Sequence, residues 1–367
     1  PCSEILCDIR LELHGWLRGP GAIYGVGKEQ LELMLDKILQ EQAVADRNEV
    51  RSLVAFDPAL EISGQQALTR FLDAALCRRS TTLECAVFAH FIWQVKRKLS
   101  GQAAEYHMMP VLVGPQKSGK SRSLQIFLEP LKNLLMQGKP IDSAIDERNT
   151  GNLSTYYVVL FDEMARAGKA DVERLKEVIS QGTMGYRPLY SNAHDIVQQN
   201  ATFIGTSNRS LLDLIKDPSG MRRFFELECA NDLTVDERRE KHWSKMPTAA
   251  EILMIWRAID ETAPPTHYLA FEHEIEHAQE TIRSKTSVEE YLEERAIVGG
   301  PIQVTMEAIY RDYERYCSSA GIRLITQRTN VGRELTAKGF QKKNSAAGMT
   351  YFLNKPLTAE IKRMEVI

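Results

Sequence analysis

One short segment constrains this 367-residue chain more than any other. It reads GPQKSGKS and directly follows an apolar run from Met108 to Val113. A strand that leads through a glycine-rich turn into a helix is the context in which the pattern G-x-x-x-x-G-K-[ST] binds phosphate. The turn amides contact the α- and β-phosphates, the lysine the β- and γ-phosphates, and the hydroxyl Mg²⁺. An ordinary turn is the alternative. The predicted phosphate-binding residues are Gly114, Pro115, Gln116, Lys117, Ser118, Gly119, Lys120 and Ser121.

An acidic motif further along the chain supplies the second half of such a site. The apolar run from Tyr157 to Phe161 ends in Asp162 and Glu163, as a Walker B strand does. Together with Ser121, Asp162 would hold Mg²⁺, and Glu163 would activate or orient the water that attacks the γ-phosphate. Two acids at a strand end also cap helices, but the upstream P-loop favours the catalytic interpretation. Lys120, Asp162 and Glu163 are therefore predicted catalytic residues.

Two further polar features accompany the next predicted strands. The apolar run from Thr202 to Ser207 ends at Asn208, which would contact the γ-phosphate or the attacking water if this strand lies beside the other two. A turn-forming asparagine is the alternative. Arg222 and Arg223 come just before the strand predicted at residues 224–227. An arginine can stabilise the transferring phosphoryl group across a subunit boundary, whereas a structural ion pair is the other interpretation. Adjacent side chains of an extended segment point in opposite directions, so we expect only one of the two arginines to act.

The hydrophobic pattern of the whole chain predicts an α/β fold with helical flanks. Residues 1–101 are mostly helical in pattern, with a capping box between Thr81 and Glu84. From Met109 to Leu227 short apolar strands alternate with helices, which predicts a mostly parallel sheet. We expect a helical N-terminal domain for collar or oligomerisation contacts at 1–104, an ATPase core at 105–232, a helical region at 233–298, a winged-helix domain at 299–356 and a tail at 357–367.

Composition limits the remaining classes of protein. The net charge of −3 excludes a chain that is basic throughout, although local patches can still bind nucleic acid. No apolar stretch approaches the roughly 18 residues of a membrane span, and the start lacks a signal-peptide pattern, so we expect a cytoplasmic protein without membrane contact. The six cysteines form no C-x-x-C pair and are expected to be reduced thiols. The first residue is Pro1, which leaves open a fragment or a processed start.

A hairpin is expected between the Walker B strand and the Asn208 strand. Residues 186–190 and 195–199 would form its two strands, and residues 191–194 its tip. An aromatic ring and hydrogen-bond donors at a tip can engage a phosphate backbone or a base, although a plain exposed hairpin would show the same pattern. The predicted DNA contacts of the hairpin are Arg187, Tyr190, Asn192 and His194.

Several motifs together resemble one family. GPQKSGKS, VVLFDE, LKEVIS, YRPLY, FIGTSN and DPSGMRRF occur in this order over residues 105–228. They resemble the virulence-associated protein E family, whose phage and mobile-element helicases are similar to superfamily 3 helicases and to the helicase halves of phage primase-helicases. Many of those proteins carry a second glycine where this chain has Lys117.

The resemblance implies an AAA+ fold, with ATP bound between the subunits of a homo-oligomeric ring, commonly a hexamer. The hairpin would face the central pore and pull single-stranded DNA. A bacterial host cell is the implied setting. Because no primase domain is evident upstream of the P-loop, a separate primase or polymerase becomes a candidate partner.

The C-terminal part of the chain looks like the winged-helix domain that often closes phage primase-helicases. Residues 304–320 and 330–338 have helical patterns, and residues 340–344 with 349–353 would form a two-stranded wing. A local excess of positive charge makes this part the best footprint for duplex origin DNA, with a solvated charged face or a protein-docking surface as alternatives. The acidic residue counted in this stretch is Glu334, and the basic residues are Arg323, Arg328, Arg333, Lys338, Lys342 and Lys343. All of these basic residues except Arg323 are predicted DNA contacts.

One further motif is expected to carry no chemistry. His273 to His277 satisfies H-E-x-x-H, the pattern of zinc peptidases. It lies in an acidic, charge-rich helical stretch without an evident third ligand, so we expect a solvated helix face instead.

Three functions fit these observations. The preferred one is an ATP-dependent DNA helicase or translocase that acts in replication of a phage or mobile element. An ATP-switched origin-binding or loading protein would also use the P-loop and the basic C-terminal surface. A P-loop regulatory scaffold without unwinding activity is the third. DNA stimulation of hydrolysis separates the first two from the third, and strand displacement separates the first from the second.

Overall fold

Strands with both faces buried form the centre of the first part of the chain. The computed structural model describes residues 28–146, 149, 151–164, 169–186, 195–214, 221–282, 286–320, 322, 325–345 and 348–357. The described residues up to 282 belong to one compact unit, and those from 286 onward to a second.

Three long helices open the first unit. They are α1 (Lys28–Leu53), α2 (Glu61–Leu76) and α3 (Thr82–Leu99). The capping box predicted at the start of α3 is confirmed, because Thr81 and Glu84 exchange side-chain to backbone hydrogen bonds. Most of α3 is buried, including Phe88 and Phe91, so this helix is a core element.

A five-stranded parallel sheet follows, as the alternating pattern predicted. The strands of the first unit are β1 (Met109–Val113), β2 (Leu135–Gln137), β3 (Val158–Phe161), β4 (Thr183–Tyr186), β5 (Asp195–Gln198), β6 (Thr202–Ser207) and β7 (Phe224–Glu228). The order in the sheet is β2-β3-β6-β1-β7, and every neighbouring pair is parallel. The helices between strands are α4 (Lys120–Leu128), α5 (Ile141–Ile145), α6 (Asn152–Thr155), α7 (Lys169–Ser180) and α8 (Leu211–Leu214). The carboxyl ends of β1, β3 and β6 therefore meet at one edge.

The expected hairpin is present at its base. Strands β4 and β5 pair antiparallel, with Gly185 opposite Ile196. Strand β4 ends at Tyr186, where the first strand of the hairpin was predicted to begin. Residues 187–194, which contain the predicted DNA contacts Arg187, Tyr190, Asn192 and His194, lie outside the described residues.

The domain boundaries expected near 104 and 232 do not divide the core. The first unit ends with α9 (Val235–Lys241), α10 (Ala249–Arg257), α11 (Thr266–Leu269) and α12 (Glu272–Ile282). One hydrophobic cluster joins Phe88, Leu112 and Trp256. Helices α2 and α10 approach so closely that a β-carbon on Gly64 would lie 2.3 Å from that of Ala258. The sheet therefore shares its core with helices from both flanks.

The second unit combines three helices with a three-stranded sheet. Its elements are α13 (Ser287–Glu294), β8 (Gly299–Thr305), α14 (Met306–Ser319), α15 (Arg328–Ala337), β9 (Lys342–Ser345) and β10 (Gly348–Leu353), and the sheet order is β8-β10-β9. Helix α13 lies before the boundary expected at 299, yet its Tyr291 packs in the same cluster as Tyr313 and Val331. Residues 299–305 add a third strand that the sequence pattern did not indicate.

No described helix combines the length and the apolarity that crossing a membrane requires.

Candidate nucleotide-binding site

The P-loop follows β1 and begins against the end of its neighbour. The amide of Gly114 donates to Ser207 O at 3.1 Å. A β-carbon on Gly114 would lie 2.8 Å from Cβ of Cys229, so the close approach of the segment after β7 requires glycine here. The loop then turns through left-handed conformations, with φ of 63° at Lys117 and 90° at Gly119. The amides at the N-terminus of the nine-residue helix α4 complete an arrangement that suits phosphate.

Lys120 is the first residue of α4, and its amine is held inside the loop. Its Nζ donates to Gly114 O at 2.7 Å, to Pro115 O at 2.8 Å and to Asn208 Oδ1 at 3.1 Å. Burial lowers the pKa of Lys120, while the nearby Cys229 and Glu163 oppose that shift. The ammonium group is thus fixed where the motif requires a cation.

Asn208 connects the P-loop to the Walker B acid. Its Oδ1 accepts from Lys120, and its Nδ2 donates to Glu163 Oε2 in a short hydrogen bond. Its backbone amide also lies 3.4 Å from Glu163 Oε1. The ends of β1, β3 and β6 thereby bring three predicted catalytic residues into one hydrogen-bonded chain.

Asp162 has a free oxygen at the place where a metal ion is expected. Its Oδ1 is buried and has no hydrogen-bond partner among the described residues. Burial raises the pKa of Asp162, and a hydrogen bond from Ser121 lowers it in part. Mg²⁺ prefers oxygen ligands and is commonly held by one or two carboxylates together with substrate phosphates and water. Ser121 and Asp162 therefore fit a bound Mg²⁺.

The two candidate arginines lie at the other edge of the sheet. They belong to a 3-10 turn, Met221–Arg223, that precedes β7. Because Phe224 pairs with Met109 in parallel register, this turn adjoins the amino ends of the strands. Arg223 donates to the Ser180 hydroxyl in a short hydrogen bond, whereas Arg222 is exposed. Gln279 of α12 fixes the turn by donating to the carbonyl oxygens of Arg222 and Phe224, at 3.0 Å each.

Sequence reasoning missed a buried lysine that anchors the hairpin. Lys98 of α3 donates to Gln199 Oε1 at 2.9 Å and to Ala201 O at 2.5 Å. Gln199 in turn donates to Val178 O at 3.2 Å. Burial lowers the pKa of Lys98 to about 7. The helical spacing of α3 gave no sign of this contact, because its partners lie some hundred residues further along the chain.

The basic residues predicted to contact DNA lie at the surface of the second unit. Arg328, Arg333, Lys338, Lys342 and Lys343 are all exposed. Lys338 also forms an ion pair with the buried carboxylate of Glu289, at 2.7 Å. This ion pair joins the end of α15 to α13. Arg328, Arg333 and Lys342 line a groove of about 780 Å³ together with Tyr351.

The H-E-x-x-H segment lies on a solvated face, as expected. His273, Glu274 and His277 of α12 are exposed, and the intervening Ile275 is buried. Among the described residues, no group of three or more histidine, cysteine or acidic side chains is arranged to hold a metal ion.

Comparison with known proteins identifies the family. The model of the virulence-associated protein E-like domain matches residues 58–280. The chain belongs to this family. The virulence-associated protein E-like match ends close to Ile282, where the first unit ends, and it contains the P-loop, Asp162, Asn208 and Arg222.

Two solved structures show a distant similarity to this virulence-associated protein E-like chain. An A-form apo structure of the NrS-1 C-terminal region is 12% identical, with a TM-score of 0.45, over 78% of this chain and 74% of that one. Another apo structure of the same region is 13% identical, with a TM-score of 0.45, over 78% of this chain and 75% of that one. No curated protein matches.

Proposed function

We propose that this chain is a Mg²⁺-dependent ATPase of the AAA+ class that drives DNA translocation or unwinding in replication of a phage or mobile element. The observation that carries the ATPase is the hydrogen-bonded chain Lys120–Asn208–Glu163. Through Asn208, which follows β6, it joins the P-loop after β1 to an acid that follows β3. These residues lie at the carboxyl edge of the parallel sheet, where such folds bind ligands.

Each side chain of the site has a separate role in ATP hydrolysis. Lys120 neutralises charge that develops on the β- and γ-phosphates. Ser121 and Asp162 would hold Mg²⁺, which would supply further neutralisation of phosphate charge. Glu163 orients the attacking water and receives its proton. Asn208 fixes the Glu163 carboxylate through a charge-assisted hydrogen bond, which is stronger than a neutral one.

Hydrolysis requires a second copy of the chain in this proposal. Arg222 is exposed and lies beyond the amino end of β7, opposite the P-loop edge, so it serves the site of a neighbouring protomer. Arg223 is bound to Ser180 and supports the turn. We therefore assign the finger to Arg222 in a homo-oligomeric ring, for which a hexamer is the expected form.

Two surfaces are proposed to contact DNA. The hairpin that begins with β4 and β5 faces single-stranded DNA in the pore through Arg187, Tyr190, Asn192 and His194. The order α13-β8-α14-α15-β9-β10 suits a winged helix, with α15 as the recognition helix. Exposed Arg328, Arg333, Lys342 and Lys343 would contact duplex DNA there. A separate primase or polymerase is the proposed functional partner.

ATP hydrolysis with and without single-stranded DNA tests the proposal. Glu163→Gln should retain ATP binding but lose turnover by roughly 10²- to 10⁴-fold, because the carboxylate acts on the reacting water. Glu177→Gln on the exposed side of α7 makes the same change of charge and should behave as wild type. DNA-stimulated hydrolysis that Glu163→Gln abolishes, with displacement of a strand from a fork, supports the motor.

Other results would redirect the proposal. Stimulation by DNA without displacement favours an origin-binding or loading protein. Hydrolysis that ignores DNA favours a regulatory scaffold. Absence of ATP binding contradicts all three.

A further inference from the structure

A second cavity adjoins the P-loop and is lined by neither Asp162 nor Asn208. It has a volume of about 570 Å³ and is lined by Lys117, Gly119, Arg122, Arg238, Arg239 and Trp243, among others. Four of these six residues are cationic, and none of the described lining residues is acidic. Such a cavity favours a ligand that combines negative charge with an apolar face.

Trp243 is fixed against the loop. A β-carbon on Gly119 would lie 2.1 Å from its ring, so the indole touches the glycine where phosphate-binding amides begin. The Arg122 guanidinium lies 5.2 Å from the centre of the same ring, within cation–π distance. The indole and Arg122 are thus positioned directly beside the P-loop.

Arg238 gives independent support for a ligand. Only 5% of this residue is exposed, and its Nη2 and Nε donate to Ala230 O at 2.6 Å and Leu233 O at 3.2 Å. Its Nη1 is buried and has no hydrogen-bond partner among the described residues. The guanidinium also forms a hydrogen bond with Cys77, but a thiol is a weak acceptor. An unpaired buried guanidinium donor is costly unless an acceptor arrives.

We propose that this cavity is the nucleoside subsite of the ATPase, with Trp243 and the arginines contacting a purine base. The inference rests on the proposed function. Bases stack on aromatic rings and on guanidinium planes. The purine ring nitrogens accept hydrogen bonds, which suits a lining rich in donors. Recognition by stacking depends on ring area more than on a hydrogen-bond pattern, so both purines bind and pyrimidines bind more weakly.

Titration calorimetry on the full chain with Mg²⁺ separates this subsite from the P-loop. The probes are ATP, GTP, CTP and inorganic tripolyphosphate, which has the phosphates without a base. Trp243→Ala should weaken ATP binding roughly tenfold and leave tripolyphosphate within about twofold, because only base stacking is lost. Trp243→Phe should recover most of the affinity. Lys241→Ala, an exposed position on α9, is the matched control.

Tryptophan emission gives a second readout. Trp93 and Trp256 are 2% and 0% exposed, so Trp243 is the described tryptophan that a ligand can reach. ATP should quench emission in wild type but not in Trp243→Phe, and tripolyphosphate should quench neither.

Unchanged ATP affinity in Trp243→Ala, or equal weakening of ATP and tripolyphosphate, would overturn the subsite while leaving the ATPase intact. A wild-type chain that binds neither probe would overturn both.

Discussion

The position of Arg222 makes a quantitative prediction about hydrolysis in a ring. Strand β7 is five residues long and pairs in parallel with β1, so Arg222 and the P-loop lie beyond opposite ends of these strands. At about 3.3 Å per residue the two edges are roughly 16 Å apart, too far for an arginine to reach the phosphates of its own protomer. Arg222→Ala should therefore lower kcat by on the order of 10³-fold while ATP still binds.

Mixing two inactive variants tests whether the arginine that acts at each active site comes from the neighbouring protomer. Arg222→Ala retains Glu163 but supplies no finger, and Glu163→Gln retains Arg222 but activates no water. In an equal random mixture, half of the sites contain Glu163, and half of those face a neighbour with Arg222. About one quarter of the wild-type rate should then return, provided that the sites act independently.

The assay is steady-state phosphate release from chains that are mixed before assembly. Arg223→Ala serves as the matched variant, because its side chain is bound to Ser180 and its loss should not be complemented in this manner. A mixture that stays as inactive as its components, or an Arg222→Ala variant with normal turnover, would refute the reasoning.

Three further predictions concern other parts of the structure. Asn208→Ala should lower kcat roughly 10- to 100-fold, because a charge-assisted hydrogen bond to Glu163 is lost. Asn208→Asp should shift the acidic limb of the pH–rate profile to higher pH, because two adjacent carboxylates raise the pKa of one of the pair. The folded-state pKa of Lys98, about 7, lies below its ordinary value of 10.5. The unfolded chain therefore binds more protons than the folded chain between pH 7 and pH 10, and the free energy of unfolding of wild type relative to Lys98→Met should rise over that range. Below pH 7 this difference should stay level, which thermal melts would measure. Arg333→Ala should reduce the salt slope of duplex binding by about 0.9. Lys338→Ala should leave that slope unchanged and lower Tm, because its ammonium group is already paired with the buried carboxylate of Glu289.

The sequence predicted the part of the site that depends on local order. A P-loop is contiguous, and its strand and helix flank it directly, so its eight residues could be read from one segment. Asn208 was predicted to contact the γ-phosphate or the attacking water if its strand lay beside the two Walker strands. Strand β6 does lie between β1 and β3, and the hydrogen bond from Asn208 to Glu163 is an additional contact that was not predicted.

Contacts between segments that are far apart in the chain could not be predicted from the sequence. Trp243 and Arg238 follow the last strand of the sheet and resemble any residues of an amphipathic surface helix, yet they line a cavity beside the P-loop. Residues 299–305 contain two glycines and a proline and were predicted to begin the winged-helix domain without forming a strand, but they pair with β10 as an edge strand. Proline is compatible with that edge because it lacks only one donor.

The core of the first unit extends across residues 104 and 232, where the hydrophobic pattern changes and domain boundaries were expected. Trp256 donates to Phe127 O at 2.9 Å, and Asp57 N donates to Arg257 O at 2.9 Å. Only the three-dimensional packing reveals that these segments share one core.

This shared core has a consequence during synthesis of the chain. Its members are separated by up to about two hundred residues, so most of the first unit must leave the ribosome before Trp256 can close the cluster. Until then the apolar faces of α2, α3 and β1 are not fully buried. Contacts between segments that are far apart in sequence slow folding and leave apolar, aggregation-prone surface exposed in the meantime. We therefore expect the nascent chain to depend on chaperones until α10 has emerged.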